Sequence, residues 1–341
     1  MKIKKIILGL MMGATPLING CGNKHAAPAT TIKEAAQEKA EDENRKKVDI
    51  LNHDYPKIPD ERILENGDGS PLYAELKKRY KDDLASLKKE VEATGAKFVV
   101  VIITNESGSG LQNPNKYGIP YIKSICSQMG QECIDFTPWV ASQDARVITQ
   151  VPRDGHWSKK GAIFIADHLE PIIKKYYSNT STVTYKDAER SATFGDLPTN
   201  DDEILDGGKD LPYHVLANSQ GVRMDHDVKF PKAKKHVLMM GDSGFYCPFL
   251  NNEFTISGVL QQRFPDAEIM NTGIIAYTID DYLTLWREKA KYSEPDIVIL
   301  QTNGGDITDL FFTQRNHLSR THKPYYPSPV EEKFYKDMYN R

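Results

Sequence analysis

Apolar and charged stretches alternate along most of this chain, and their spacing predicts its elements. Leu72 to Thr94 is charged and amphipathic and ends at Gly95, which predicts a helix. Lys97 to Thr104, with Phe-Val-Val-Val-Ile-Ile at its centre, predicts a strand buried on both faces. Further strands are expected at Glu132 to Phe136, His236 to Met240, Ala267 to Met270 and Asp296 to Gln301. Helices are expected at Tyr117 to Met129, Lys159 to Tyr176, about Asn252 to Arg263, and Ile279 to Tyr292. A polar approach through Val147-Ile-Thr-Gln-Val151 leads to a loop at Asp154 to His156. Residues 177–235 have no strong period and many turn formers, so they read as an insertion of short strands or irregular cover. Apolar strands linked by helices predict an α/β domain whose sheet is mostly parallel, with helices on both faces.

The N-terminal segment has a different pattern. Lys2, Lys4 and Lys5 precede the apolar run Ile6 to Met12, and small residues lead to Gly20-Cys21. That run is too short for a mature membrane span and fits the core of an export signal over residues 1–20. Gly20-Cys21 resembles a bacterial lipobox, although Asn19 is unusual within one. The resemblance implies a lipid on Cys21 and a lipoprotein anchored in the bacterial cell envelope, facing the periplasm or exterior, the outer membrane being favoured. Residues 21–70 run from Ala/Pro/Thr-rich to Lys/Glu/Asp-rich with few large apolar side chains, a composition that reads as linker. The α/β domain is expected over 71–328 and a C-terminal tail over 329–341.

The 341 residues carry 44 basic and 47 acidic side chains, a net charge of −3, and no basic stripe interleaved with aromatics. That gives nucleic-acid binding no support. Cys126 and Cys133 flank an expected helix end at Gly130; in an exported chain they pair as a disulfide or stay as a free buried pair. Cys247, one helical turn beyond Ser243, reads as a small core residue. The cysteines lack zinc spacing and His156 with His168 makes no metal motif, so no metal or cofactor is expected. Ser107-Gly-Ser-Gly110 lacks the Lys-Ser/Thr of a phosphate loop and reads as a rim loop.

The candidate chemistry centres on Gly241-Asp242-Ser243, placed where an apolar strand runs out. A serine there is presented at the rim of an open α/β sheet, where such folds bind ligands. It needs a base and an oxyanion site to act as a nucleophile. Asp154-Gly-His156-Trp157 offers the base: His156 would take the proton of Ser243, with Asp154 orienting the ring. The alternative for that pair is an Asx turn beside an exposed histidine. Trp157 reads as packing under the loop, or as a sugar-stacking face. Tyr277 reads as pocket lining or core.

Taken with Asn271-Thr-Gly273-Ile-Ile-Ala276 and Asn303-Gly-Gly305-Asp306 after the next two strands, the serine turn resembles the SGNH/GDSL hydrolase superfamily. That resemblance implies a flavodoxin-like three-layer α/β/α sandwich with a five-stranded sheet and a Ser–His–Asp triad acting on acyl esters. The Asp154-Gly-His156-Trp157 motif, followed by Gly161-Ala162 and lying before the serine, resembles the circularly permuted periplasmic alginate O-acetyltransferase branch. The expected oxyanion donors are Ser243, Gly244, Ala276, Asn303 and Gly305. Ala276 stands where the superfamily has Gly, and Gly305 where it has Asn, which predicts a rearranged hole or low activity. Asp306 reads as a turn cap. The resemblance implies an esterase removing O-acyl groups, most simply O-acetyl, from an acylated carbohydrate of the envelope or exterior. The alternatives are an O-acetyltransferase served by an acetyl-donor export system, and a non-catalytic glycan-binding or assembly lipoprotein.

Overall fold

The apolar runs become the strands of one sheet. The computed structural model describes residues 63–64, 67–104, 113–177, 191–206, 210–311 and 328–339. The first half runs α1 (Pro71–Ala93), β1 (Lys97–Ile102), α2 (Asn113–Gln128), β2 (Cys133–Asp135), the short helices α3 (Thr137–Ala141) and α4 (Ala145–Ile148), and α5 (Lys159–Tyr177). An antiparallel ribbon of β3 (Asp201–Leu205) and β4 (Tyr213–Ala217) follows. The second half runs β5 (Lys235–Met240), α6 (Ser243–Tyr246), α7 (Ile256–Arg263), β6 (Ala267–Asn271), α8 (Ile279–Glu288) and β7 (Ile297–Thr302). Another helix begins at residue 306.

The five-stranded sheet has the order β2-β1-β7-β5-β6, and every pairing is parallel. Counted from β5 and wrapping round to β2, this is the flavodoxin-like order 2-1-3-4-5. The fold is a three-layer α/β/α sandwich. On one face Val99, Val101, Met239 and Ile299 meet Ala162, Ile165 and Leu169 of α5 and Leu260 of α7 in one buried cluster. On the other face α1 packs against α8. Its buried Leu72, Leu76, Tyr80, Leu84, Leu87 and Val91 recur at helical spacing, and Gly95, at φ 87°, follows its end.

Several boundaries differ from the pattern reading. α2 starts at Asn113, because Pro114 in a first turn leaves no hydrogen bond unmade, and Pro120 is accommodated inside the helix. The 252–263 segment is a 3-10 turn at Asn252–Phe254 followed by α7, whose N-cap Thr255 accepts from the Gly258 N–H. α8 ends at Glu288, with a separate 3-10 turn at Ala290–Ser293. Val147 and Ile148 belong to α4, and Thr149 bridges to Trp157.

Cys126 and Cys133 form a disulfide with an S–S distance of 1.97 Å, joining α2 to the edge strand β2. At the N-terminal edge of the sheet the buried Asp296 receives Lys232 Nζ at 2.6 Å, Lys235 Nζ at 3.8 Å and the His236 N–H at 2.8 Å. His236 Nδ1 donates to the Ser293 carbonyl at 2.6 Å, and burial holds its pKa below the usual histidine value. Between α1 and α8, burial and then the charge of Asp280 push the Asp83 carboxyl up to about 7.

These elements belong to a unit spanning residues 59–314. Of a second unit, the described part is a helix at Pro329–Tyr339, within the expected tail; Ser328 and Glu331 cap it reciprocally, at 2.8 and 3.1 Å. The export signal, Cys21, almost all of the 21–70 linker and Ser107–Gly110 lie outside the described residues. No helix among the described residues is long and apolar enough to cross a membrane.

Candidate active site

The Asp154–His156 arm is a loop closed at its base. Thr149 and Trp157 form a bridge, and Gln150 holds the span between them. Its N–H donates to the His156 carbonyl at 2.9 Å and its side-chain amide to the Trp157 carbonyl at 3.1 Å. Its own carbonyl accepts from the N–H groups of Arg153 and Asp154 at 3.1 and 3.3 Å. Ser158 then opens α5, accepting from the Gly161 N–H at 3.1 Å. A Cβ on Gly161 would lie 1.9 Å from the Ile148 carbonyl oxygen, so only glycine lets α5 approach α4 this closely. Trp157, 2% exposed, packs into the core cluster under the loop.

This scaffold turns both side chains of the pair the same way. Asp154 Oδ1 accepts from the His156 N–H at 2.9 Å, and the same oxygen meets His156 Nδ1. An ionised carboxylate can only accept, so Nδ1 carries the proton and Nε2 keeps a lone pair. The Asx turn and the side-chain pair are therefore both present. Either reading of the motif alone describes half of it.

The serine arm is set by β5 and β7. Past the end of β5, Asp242 N–H donates to Gln301 Oε1 at 3.0 Å. A Cβ on Gly241 would fall 2.5 Å from that same oxygen. Asp242 caps α6, which begins at Ser243. Ser243 and His156 line one cavity of about 150 Å³, with Thr104, Asn115, Gln301 and Asn303. It lies at the C-terminal ends of β5 and β7, where the strand order reverses. Among the described residues nothing hydrogen-bonds the Ser243 hydroxyl or its backbone N–H.

The other expected oxyanion donors are engaged elsewhere or, for Ala276, lie outside the cavity. Gly244 N–H donates to Asp242 Oδ1 at 2.6 Å. The Asn303 amide nitrogen donates to Asp242 Oδ2 at 3.0 Å and Asp306 Oδ1 at 2.7 Å, which uses both its hydrogens. Asn303 Oδ1 accepts from the Gly305 N–H at 2.7 Å. Ala276 is exposed, at φ 64°, in a turn closed by Tyr277 N–H on the Ile274 carbonyl. It does not line the cavity. Of the expected donors, the Ser243 N–H alone is at the cavity with no acceptor among the described residues.

Asn303 thus bridges two carboxyls. Asp306 is more than a turn cap: it is 1% exposed, accepts from Thr302 Oγ1 at 2.7 Å, and begins a helix. Burial, and then the charge of Asp242, push its carboxyl well above the usual range. Burial raises Asp242 too, opposed by the Gly244 N–H, Gln301 and the charge on His156. Tyr277 does not line the cavity; its hydroxyl donates to Asp196 at 2.9 Å. Cys247 is fully buried and its thiol is pushed up to about 11, which leaves it unreactive.

One residue of this region escaped the sequence reading. Arg223, in the 177–235 insertion, is 2% exposed and binds the backbone just after Ser243. A lone arginine in an aperiodic stretch gives no pattern signal, and its partners are carbonyls that sequence does not distinguish. Among the described residues no group of three or more His, Cys, Asp or Glu side chains is placed to hold a metal.

No family model matches this chain, and no curated protein matches it. Among solved structures it is similar to the O-acetyltransferase domain of Pseudomonas putida AlgJ, with 13% identity over 72% of this chain and 87% of that one. The TM-score is 0.43, so the activity has to be argued from this chain's own residues.

Proposed function

We propose that this protein is a serine-dependent acyl-ester enzyme that removes O-acyl groups, most simply O-acetyl, from carbohydrate outside the cytoplasm. The observation that carries the reading is the cavity shared by Ser243 and His156, with Asp154 holding Nδ1 of that ring. Ser243 Oγ would bond to the ester carbonyl carbon as its proton passes to His156 Nε2. Collapse of the adduct breaks the ester C–O bond, and the imidazolium returns the proton to the departing sugar hydroxyl. Water, deprotonated by the same nitrogen, then frees the acyl group from Ser243. Asp154 stabilises the charged ring throughout.

The small cavity suits a short acyl group better than a long chain. Transfer to a second sugar uses the same acyl-Ser243 intermediate with a hydroxyl in place of water. Carbohydrate as substrate, and attachment to a membrane through Cys21, rest on the motif resemblances and the N-terminal sequence.

A second reading, a non-catalytic glycan-binding or assembly lipoprotein, draws on the engaged donors. A single backbone N–H is a weak oxyanion site, and a missing donor costs about 2.7–4 kcal/mol of transition-state stabilisation. Turnover of p-nitrophenyl acetate separates the two: the protein should exceed its Ser243→Ala variant, and equal rates would favour the binding reading. Product masses from an acetylated donor and an oligosaccharide acceptor then distinguish hydrolysis from transfer.

A further inference from the structure

Phe249 stands between the candidate base and the insertion. Its ring centroid lies 6.1 Å from that of His156 and 5.5 Å from that of Tyr213. The backbone that carries it is left-handed at two non-glycine residues, Cys247 (φ 55°) and Phe249 (φ 65°). Such a path persists only where its surroundings dictate it. Here Arg223 does so. Its Nη1 donates to the carbonyls of Tyr246 and, at 3.2 Å, Cys247. Nη2 donates to the Leu250 carbonyl at 2.5 Å and Nε to Asn252 Oδ1 at 3.0 Å. The guanidinium also lies 4.6 Å from the Tyr246 ring centroid.

No carboxylate lies within ion-pair distance of Arg223 among the described residues; the charge of Glu253 reaches it only from farther off, and burial lowers its pKa. Stability alone does not call for a cation there, since a buried charge costs more than an apolar side chain of the same size. What the planar fork can do, and an apolar chain cannot, is fix several carbonyl oxygens at once. Those carbonyls belong to the segment that starts at the end of the serine's own helix.

We propose that Arg223 is a positioning residue for the base: it fixes the 246–250 loop so that Phe249 seats the His156 ring toward Ser243. The insertion would then be part of the catalytic frame rather than cover. The kinetic consequence rests on the serine reading above; the seating of the ring does not.

The test uses the full chain with Arg223→Met, Arg223→Lys, Phe249→Ala, and the double variant Arg223→Met/Phe249→Ala. Two measurements are made on each. The first is the NMR signature of the His156 imidazole nitrogens across neutral pH, assigned with His156→Gln; Asp154 and Asp242 are the carboxyls that face this ring. The second is p-nitrophenyl acetate turnover. Arg223→Met and Phe249→Ala should displace the His156 resonances in the same direction. Each should lower kcat by about 10–100-fold with KM within about threefold, the mark of misplacement rather than lost binding. The double variant should be no worse than the poorer single, because both act through one path. Lysine should rescue only in part.

Wild-type His156 resonances and kcat in folded Arg223→Met would overturn the proposal, as would losses that multiply in the double. If Arg223→Met does not fold, Phe249→Ala decides, and unchanged His156 resonances there overturn it. If the wild type shows no Ser243-dependent turnover, the serine reading falls, while the resonance shifts still decide the positioning role.

Discussion

Both edges of the sheet bury a carboxylate, and they treat it in opposite ways. At the N-terminal edge Asp296 meets two lysines and a backbone N–H. At the C-terminal edge Asp306 and Asp242 have no lysine or arginine partner among the described residues. They share the Asn303 amide instead, and the side chain that faces Asp242 across the cavity is His156. The first arrangement surrounds the carboxylate with positive groups and a donor. The second leaves both carboxyls raised above the usual range beside the cavity that Ser243 lines, and shifted carboxyls are a common feature of sites built for acid–base work.

The comparison can be broken most forcefully at the reactive edge. Once Ser243→Ala has removed about 1,000-fold or more of ester turnover, adding His156→Ala should remove no more, because the two act as one unit. A further large drop in the double variant would mean that the ring works without the alcohol. The next largest effect belongs to the opposite edge. Lys232→Met should destabilise by about 3–5 kcal/mol in denaturant titrations, since it strips Asp296 of its nearest cation. Adding Asp296→Asn should recover most of that. A double variant no more stable than the single would show that the clamp is not electrostatic.

Asn303→Ala removes the amide between two carboxyls and should cost about 1–3 kcal/mol. The sign of its pH dependence follows from Asp306, whose folded pKa lies above its unfolded value. Its protonation stabilises the fold at low pH, and that contribution disappears as pH rises. Without the amide the decline should steepen, which thermal melts over a pH series would register. The smallest effect is at Asp83, raised from 3.8 to about 7. Its contribution is present at pH below the unfolded value and lost as pH rises toward 7. Asp83→Asn should match wild-type stability near pH 4 and exceed it by about 1–2 kcal/mol near pH 8. Equal curves at both ends would refute a carboxyl raised by burial and by the charge of Asp280.

Strands β1, β5, β6 and β7 were legible because each is a short, mainly apolar run buried from both sides, and Gly95 marked a real end. The placement of Ser243 and of the Asp154–His156 loop was legible because turn chemistry and spacing put them at element ends. What sequence could not show was adjacency. Asn303 lies beside Asp242 only because β7 pairs with β5, and nothing in the spacing of Asp242 and Asp306 says that their carboxyls share an amide. Reading Asn303 as a spare oxyanion donor failed for that reason. Helix starts at Asn113 and Ile256 were blurred by prolines and by a 3-10 turn, features that apolar periodicity does not register.

The position of β7, between β1 and β5, has a consequence for the order of synthesis. A ribosome delivers the imidazole-bearing half first, the alcohol second, and the strand that wedges the two together after both. No nascent fragment that ends before residue 297 owns a finished sheet, so the two halves cannot be joined until β7 has emerged. On the serine reading proposed above, order of emergence alone would keep a fragment that lacks β7 inactive.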